Sequence, residues 1–154
     1  GIYVKEPSHV LGQLVLAARG LKPSFTITGT EHPTRDGTGI RDYIHVWDLA
    51  RAHVRAVERF DDVLRDVDAP STVINIGTGD GVTVRELVAS FEKVYGSSVP
   101  ITEAAPRPGD VVGAYANVDK AAALLDWRAE LSTDDAIASA LAWADRRQEV
   151  LGYE

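Results

Sequence analysis

The sequence predicts an α/β fold, and three observations lead there. Two short runs have strand character, the β-branched Phe25-Thr26-Ile27-Thr28 and the almost wholly apolar Thr72-Val73-Ile74-Asn75-Ile76. The second reads like a strand covered on both faces of a parallel sheet. Between and after these runs the apolar residues recur at three- and four-residue steps, the period of a helix with one buried face. Helix-start and helix-stop chemistry brackets several of those periodic stretches. With 154 residues the chain is about one domain long and able to bury a real core.

The first helix is expected after Ser8 as N-cap, with Val10, Leu11, Leu14, Val15, Ala17 and Ala18 as its stripe and Gly20 as a left-handed stop. Pro23 to Gly29 holds the first strand. Val46, Leu49, Ala50, Val54, Val57 and Phe60 then place a helix from Val46 to about Phe60, with Asp48 favourably in its first turn. Asp61 to Pro70 is acidic and turn-rich and is read as a surface connection. After the Thr72–Ile76 strand, Gly77-Thr78-Gly79-Asp80-Gly81 is either a phosphate loop or, the reading favoured here, a strand-to-helix turn. Thr83 and Glu86 form a capping box before Val84, Leu87, Val88, Phe91, Val94 and Tyr95, and Gly96 ends that helix. Val99 to Glu103 is an edge strand, because Pro100 cannot donate to a ladder. Pro106-Arg107-Pro108-Gly109-Asp110 is a rigid turn, Val118 to Leu125 a short helix, and Ser132 with Asp135 caps a last helix through Ala136, Ile137, Ala140, Leu141 and Trp143.

Composition narrows the function classes. A formal charge of −7 disfavours a polyanionic partner, so no nucleic acid is expected and any anion must be caught locally. No apolar run approaches the roughly 18 residues of a membrane helix. The absence of Cys excludes disulfides, thiolate metal sites and a Cys nucleophile, and suits a cytoplasmic location. His9, His32, His45 and His53 have no ligand spacing, so no metal is expected, and His45 and His53 are read as structural. There is no Met, so the chain is expected to be processed or an excerpt of something longer.

Site chemistry concentrates in Thr34 to Asp48. Gly37 and Gly39 allow a tight turn or close approach to a ligand, and Arg41 adds a permanently charged planar fork suited to phosphate. The competing structural reading pairs Arg41 with Asp36, Asp42 or Asp48 and leaves Arg107 as a solvated turn residue.

The run Arg41-Asp42-Tyr43-Ile44-His45-Val46-Trp47-Asp48-Leu49-Ala50, with Asn75-Ile76-Gly77-Thr78-Gly79 and the Pro106 to Asp110 turn in order behind it, resembles the UDP-glucose 4-epimerase family of extended short-chain dehydrogenases. The resemblance covers nearly the whole chain and implies the carboxy-terminal, UDP-sugar-binding half of such an enzyme, one domain over residues 1–154. One helix and one strand would belong to the Rossmann layer of an amino-terminal half not contained in this sequence. The resemblance also implies that Gly39, Arg41, Tyr43, Val84, Arg107 and Asp110 contact substrate, the arginines at the diphosphate and Asp110 at the ribose hydroxyls, with the base beside Phe25 to Gly29. His9 stands where the family has an Asn near the substrate. Thr28 and Ala114 replace family aromatics, so contacts there are expected to differ.

UDP-glucose and UDP-galactose are the implied substrates, NAD the implied cofactor, bound by the amino-terminal half, and a homodimer the implied assembly. No catalytic residue is assigned here, because the sequence has neither a Tyr-x-x-x-Lys pair nor a Gly-x-x-Gly-x-x-Gly opening a helix. The alternatives are a non-catalytic nucleotide-sugar binding module, or another NAD-dependent epimerase, dehydratase or decarboxylase.

Overall fold

The computed structural model describes Tyr3, Val4 and residues 6–65 and 70–152. Its elements in order are α1 (Val10–Ala18), β1 (Phe25–Thr28), β2 (Ile40–Arg41), α2 (Val46–Glu58), α3 (Phe60–Arg65), β3 (Val82–Thr83), α4 (Val84–Tyr95), β4 (Ile101–Ala104), α5 (Asp119–Leu125) and α6 (Thr133–Leu151). β1 and β4 pair in parallel with Phe25 opposite Ile101 and Thr28 opposite Ala104, and the two-residue β2 and β3 pair antiparallel. Part of the 66–70 end of the expected surface connection lies outside the described residues.

Two apolar cores result. The larger joins Leu14, Val15 and Ala17 of α1, Phe25 and Ile27 of β1, Leu87, Val88 and Phe91 of α4, Val99, and Ile137 of α6. The alternation along β1 follows directly, since Phe25 and Ile27 point inward and Thr26 and Thr28 do not. The second core gathers Ala52 of α2, Val63 of α3, Ala121 and Leu125 of α5, and Trp127, with Ile74 and Ile76 packed partly against it.

Both capping boxes form as the sequence predicts. Thr83 Oγ1 accepts from Glu86 N while the Glu86 carboxylate accepts from Thr83 N at 2.8 Å, and Ser132 and Asp135 do the same for α6. Gly96 closes α4 in the left-handed region at φ 86°.

Three expectations are corrected. The N-cap of α1 is His9 rather than Ser8: His9 has the extended backbone of a cap, and its Nδ1 accepts from Gly12 N at 3.3 Å. Residues 61–65, read as surface connection, belong to the helix α3, held because Val63 is buried in the second core. Thr72 to Ile76 joins no ladder, because no described strand lies alongside it. Its side chains still alternate, with Ile74 and Ile76 against α2 and α5 and Val73 turned out.

That segment leaves backbone groups and apolar surface open together, since Val73 is 80% exposed and Val54, Val57 and Phe60 also stand exposed. Hydrogen exchange on the purified chain is expected to show Val73 to Ile76 amides exchanging faster than those of Leu87 to Phe91, with light scattering detecting self-association. A monodisperse monomer with equal protection in both stretches would contradict this.

Candidate functional site

The Thr34 to Asp48 stretch is fastened by three carboxylates, Asp36, Asp42 and Asp48. Asp36 accepts from Thr38 N at 2.9 Å and Thr38 Oγ1 at 2.8 Å and takes the Thr83 hydroxyl, tying the loop to the start of α4. Burial works against its charge, but these bonds and the nearby Arg85 hold Asp36 below the usual carboxylate range. Gly37 sits at φ +83° with a Cβ position 2.2 Å from Thr30 O, so only glycine makes this turn. Arg35 is consumed structurally by Glu86 and by Gly81 O at 2.6 Å; its bond, with the Thr83 N–H, lowers the Glu86 carboxyl to about 2.

Asp42 fastens the other side. It accepts from Thr78 N at 2.9 Å, Thr78 Oγ1 at 2.6 Å, Gly79 N at 3.2 Å and Ala116 N at 3.1 Å. Burial opposes the charge, yet four donors keep Asp42 below the ordinary range. Asp48, fully buried, accepts from Glu130 N at 3.0 Å and Leu131 N at 2.8 Å, joining α2 to the approach of α6. Each buried N–H would cost about 1 to 3 kcal/mol if left unpaired, so these carboxylates hold the frame.

Asp36, Asp42 and Asp48 are therefore engaged elsewhere, and none of them pairs with Arg41. Arg41 Nη1 donates to Ile40 O at 2.7 Å and Val111 O at 3.3 Å, while Nη2 stands 3.9 Å from Asp110 Oδ1. One arm of the fork is thus fixed to main chain and the other has only a loose ionic contact. Arg107 makes no side-chain hydrogen bond or ion pair among the described residues. The turn carrying it closes with Asp110 N donating to Arg107 O at 3.0 Å and Gly109 at φ +82°.

All six sequence-predicted site residues, Gly39, Arg41, Tyr43, Val84, Arg107 and Asp110, lie on the wall of one cavity of about 340 Å³. Burial raises the Tyr43 phenol above its usual value, although the charge of Arg41 pulls the other way, so at neutral pH it is a protonated donor. Ser8, Val10, Gln13, Lys22, Phe25, Thr26, Thr28, His32 and Val111 complete the wall. Of these, Gln13, Lys22 and His32 carry no motif or spacing that marks them in the sequence. Ala114 and His9 do not line this cavity. His9 is spent on its cap, and burial lowers its pKa.

The open edge of β1 also faces a ligand-sized space. Phe25 N donates to Pro100 O at 2.8 Å and Gly29 N to Ala104 O at 2.9 Å. By the alternation of a parallel ladder, Thr26 and Thr28 therefore turn their backbone N–H and C=O groups away from β4, to an edge that no described strand pairs.

His45 caps α2, with Nδ1 accepting from Trp47 N at 3.0 Å and Nε2 bonded to Ser139 Oγ at 3.1 Å; His53 Nδ1 meets Leu49 O at 2.8 Å. Both are structural. Among the described residues no group of three or more His, Asp or Glu side chains is placed to hold a metal ion, and no helix is long and apolar enough to cross a membrane.

Residues 2–77 match the NAD dependent epimerase/dehydratase family. The chain is 39% identical over 138 residues to UDP-glucose 4-epimerase 2 of Arabidopsis thaliana, covering 90% of this chain and 38% of that protein. It is 38% identical over 148 residues to the UDP-glucose 4-epimerase of Bacillus subtilis, covering 96% and 42%. The chain is similar to members of the NAD-dependent epimerase/dehydratase family. Solved members of the family share its α/β fold. The Stenotrophomonas maltophila UDP-glucose 4-epimerase with bound NAD and formylated UDP-arabinopyranose superposes with a TM-score of 0.86 at 35% identity, over 97% of this chain and 43% of the other. The Bifidobacterium longum enzyme in complex with NAD+ and UDP gives 0.82 at 36%, over 96% and 42%. The chain thus spans about two fifths of the length of these relatives.

NAD is bound in both of those solved structures, and the glycine-rich turn at Gly77 to Gly81 offers no open cradle for its phosphates. The N–H groups of Thr78 and Gly79, which a phosphate would need, are taken by Asp42, and a Cβ on Gly77 would lie 2.3 Å from Asp42 Oδ2. The turn is a docking point for Asp42, a structural turn rather than a phosphate loop, although no ladder strand precedes it.

Proposed function

We propose that this chain is the UDP-sugar-binding part of a UDP-glucose 4-epimerase that interconverts UDP-glucose and UDP-galactose, with NAD and the proton-transfer pair held by polypeptide beyond this sequence. The observation that carries the proposal is the convergence of Arg41, Arg107 and Asp110 with the open edge of β1 on one cavity. A diphosphate takes the free arm of Arg41 and the unengaged Arg107, each charge-assisted bond contributing about 1.5 to 3 kcal/mol. Asp110 accepts from vicinal ribose hydroxyls beside it. The imide edge of uracil, with its alternating acceptor and donor, complements the N–H and C=O groups that Thr26 and Thr28 turn outward. Tyr43, neutral, donates rather than accepts. In this reading the chain binds and orients the nucleotide, and α2 with residues 72–76 completes the layer that carries NAD.

Titration calorimetry tests the assignment. UDP is expected to bind, and ADP, whose base lacks an imide edge, at least about tenfold more weakly. Equal affinity for the two, or no heat with UDP, would overturn it.

A further inference from the structure

Lys22 is the remaining lysine or arginine on the cavity wall. Its Nζ donates to Gln13 Oε1 at 2.5 Å, and Gln13 Nε2 donates to Pro7 O at 2.5 Å. Gln13 is thereby held with its oxygen toward the lysine. The ammonium keeps two further N–H donors, and among the described residues it has no carboxylate partner. A half-buried ammonium so placed calls for an acceptor from a ligand.

Strand geometry says which part of a ligand it meets. β1 and β4 run parallel with Thr28 opposite Ala104, so Arg107 follows the carboxy-terminal ends of both strands while Lys22 precedes the start of β1. Four strand residues span about 13 Å, which sets the main chain of Lys22 at the opposite end of β1 from the turn that carries Arg107. Asp110 is the carboxylate on the cavity wall, and it stands beside Arg41, so sugar hydroxyls belong at the arginine end. The other end offers Val10, Phe25 and Thr26, a surface for a flat base. Resting on the nucleotide-binding reading above, we propose that Lys22, positioned by Gln13, donates a hydrogen bond to a keto oxygen of the pyrimidine and is a specificity-determining residue of the site.

The experiment is calorimetry on the protein with UDP and with inorganic pyrophosphate as a base-free probe, for the unaltered chain and for Lys22→Met, Lys22→Arg and Arg107→Ala. Lys22→Met, which keeps the aliphatic stem, is expected to weaken UDP about tenfold and to leave pyrophosphate within about twofold. Lys22→Arg retains a charged donor and recovers most of the UDP affinity. Arg107→Ala weakens both ligands. If Lys22→Met leaves UDP within about twofold, or weakens pyrophosphate as much as UDP, the base contact is overturned while the arginine effect keeps the nucleotide site standing. If UDP does not bind, or Arg107→Ala changes neither ligand, the nucleotide reading falls and this inference with it. Thermal unfolding of each variant separates these outcomes from loss of fold.

Discussion

The purified 154-residue chain will not interconvert UDP-glucose and UDP-galactose in a coupled assay. Proton transfer at a sugar hydroxyl by the family's chemistry needs a tyrosine whose pKa is lowered toward neutral pH by a nearby cation, the role of Lys in Tyr-x-x-x-Lys. The residues four places after Tyr3, Tyr43, Tyr95 and Tyr115 are Pro7, Trp47, Val99 and Asp119, so the helix-spaced pair does not occur in this sequence. Tyr43 is the tyrosine on the cavity, and burial moves its phenol up, the wrong direction for a base. The glycine-rich turn that could have cradled a dinucleotide is occupied by Asp42. The expected effect is loss of turnover to background. Activity that survives repurification would place a hydride acceptor and a base within this chain and overturn the division of labour proposed above.

Arg41→Ala will weaken UDP binding by about 1.5 to 3 kcal/mol, roughly ten- to a hundredfold. The size follows from preorganisation. With Nη1 fixed by Ile40 O and Val111 O, the guanidinium loses little freedom when a phosphate arrives, and its Nη2 arm already projects beside Asp110. Arg41→Lys is expected to recover little of this, because a single ammonium cannot hold the two carbonyls and bond a phosphate as well. Calorimetry with UDP measures the loss, and thermal unfolding shows whether the variant is folded. Unchanged affinity in a folded Arg41→Ala chain would make Arg41 a clamp between β2 and the 110–112 segment and nothing more.

Much of the architecture is visible without coordinates, and the parts that are share a cause. The Thr83/Glu86 and Ser132/Asp135 boxes, the Gly96 stop and the alternation of Phe25 to Thr28 depend on groups within four residues of one another. A local pattern therefore specifies them. The six expected site residues were legible for a different reason, through motifs arranged in the order of a known family, and the fold then gathered them on one cavity.

What the sequence did not reveal depends on distance along the chain. His9 outcompetes Ser8 as the cap of α1 because its ring nitrogen reaches Gly12 N, a matter of side-chain reach rather than residue preference. α3 exists because Val63 finds a core built from α2, α5 and Trp127. Thr72 to Ile76 has the composition of a strand, yet a strand is a relation between two segments, and the second is not among the described residues.

By itself, then, the sequence determined the helix starts set by the two capping boxes, the resemblance to a family, and which two arginines are proposed to meet phosphate. Only the tertiary structure decided the partners of the charges. Asp42 could have paired with Arg41, its immediate neighbour, but its carboxylate meets Thr78, Gly79 and Ala116, which lie 36 to 74 residues away. That choice frees one arm of Arg41, and the pairing of Lys22 with Gln13 is decided in the same way. A charge in a sequence has many carboxylates and amides within possible reach, and the fold selects among them by bringing a few to hydrogen-bond distance and burying them together.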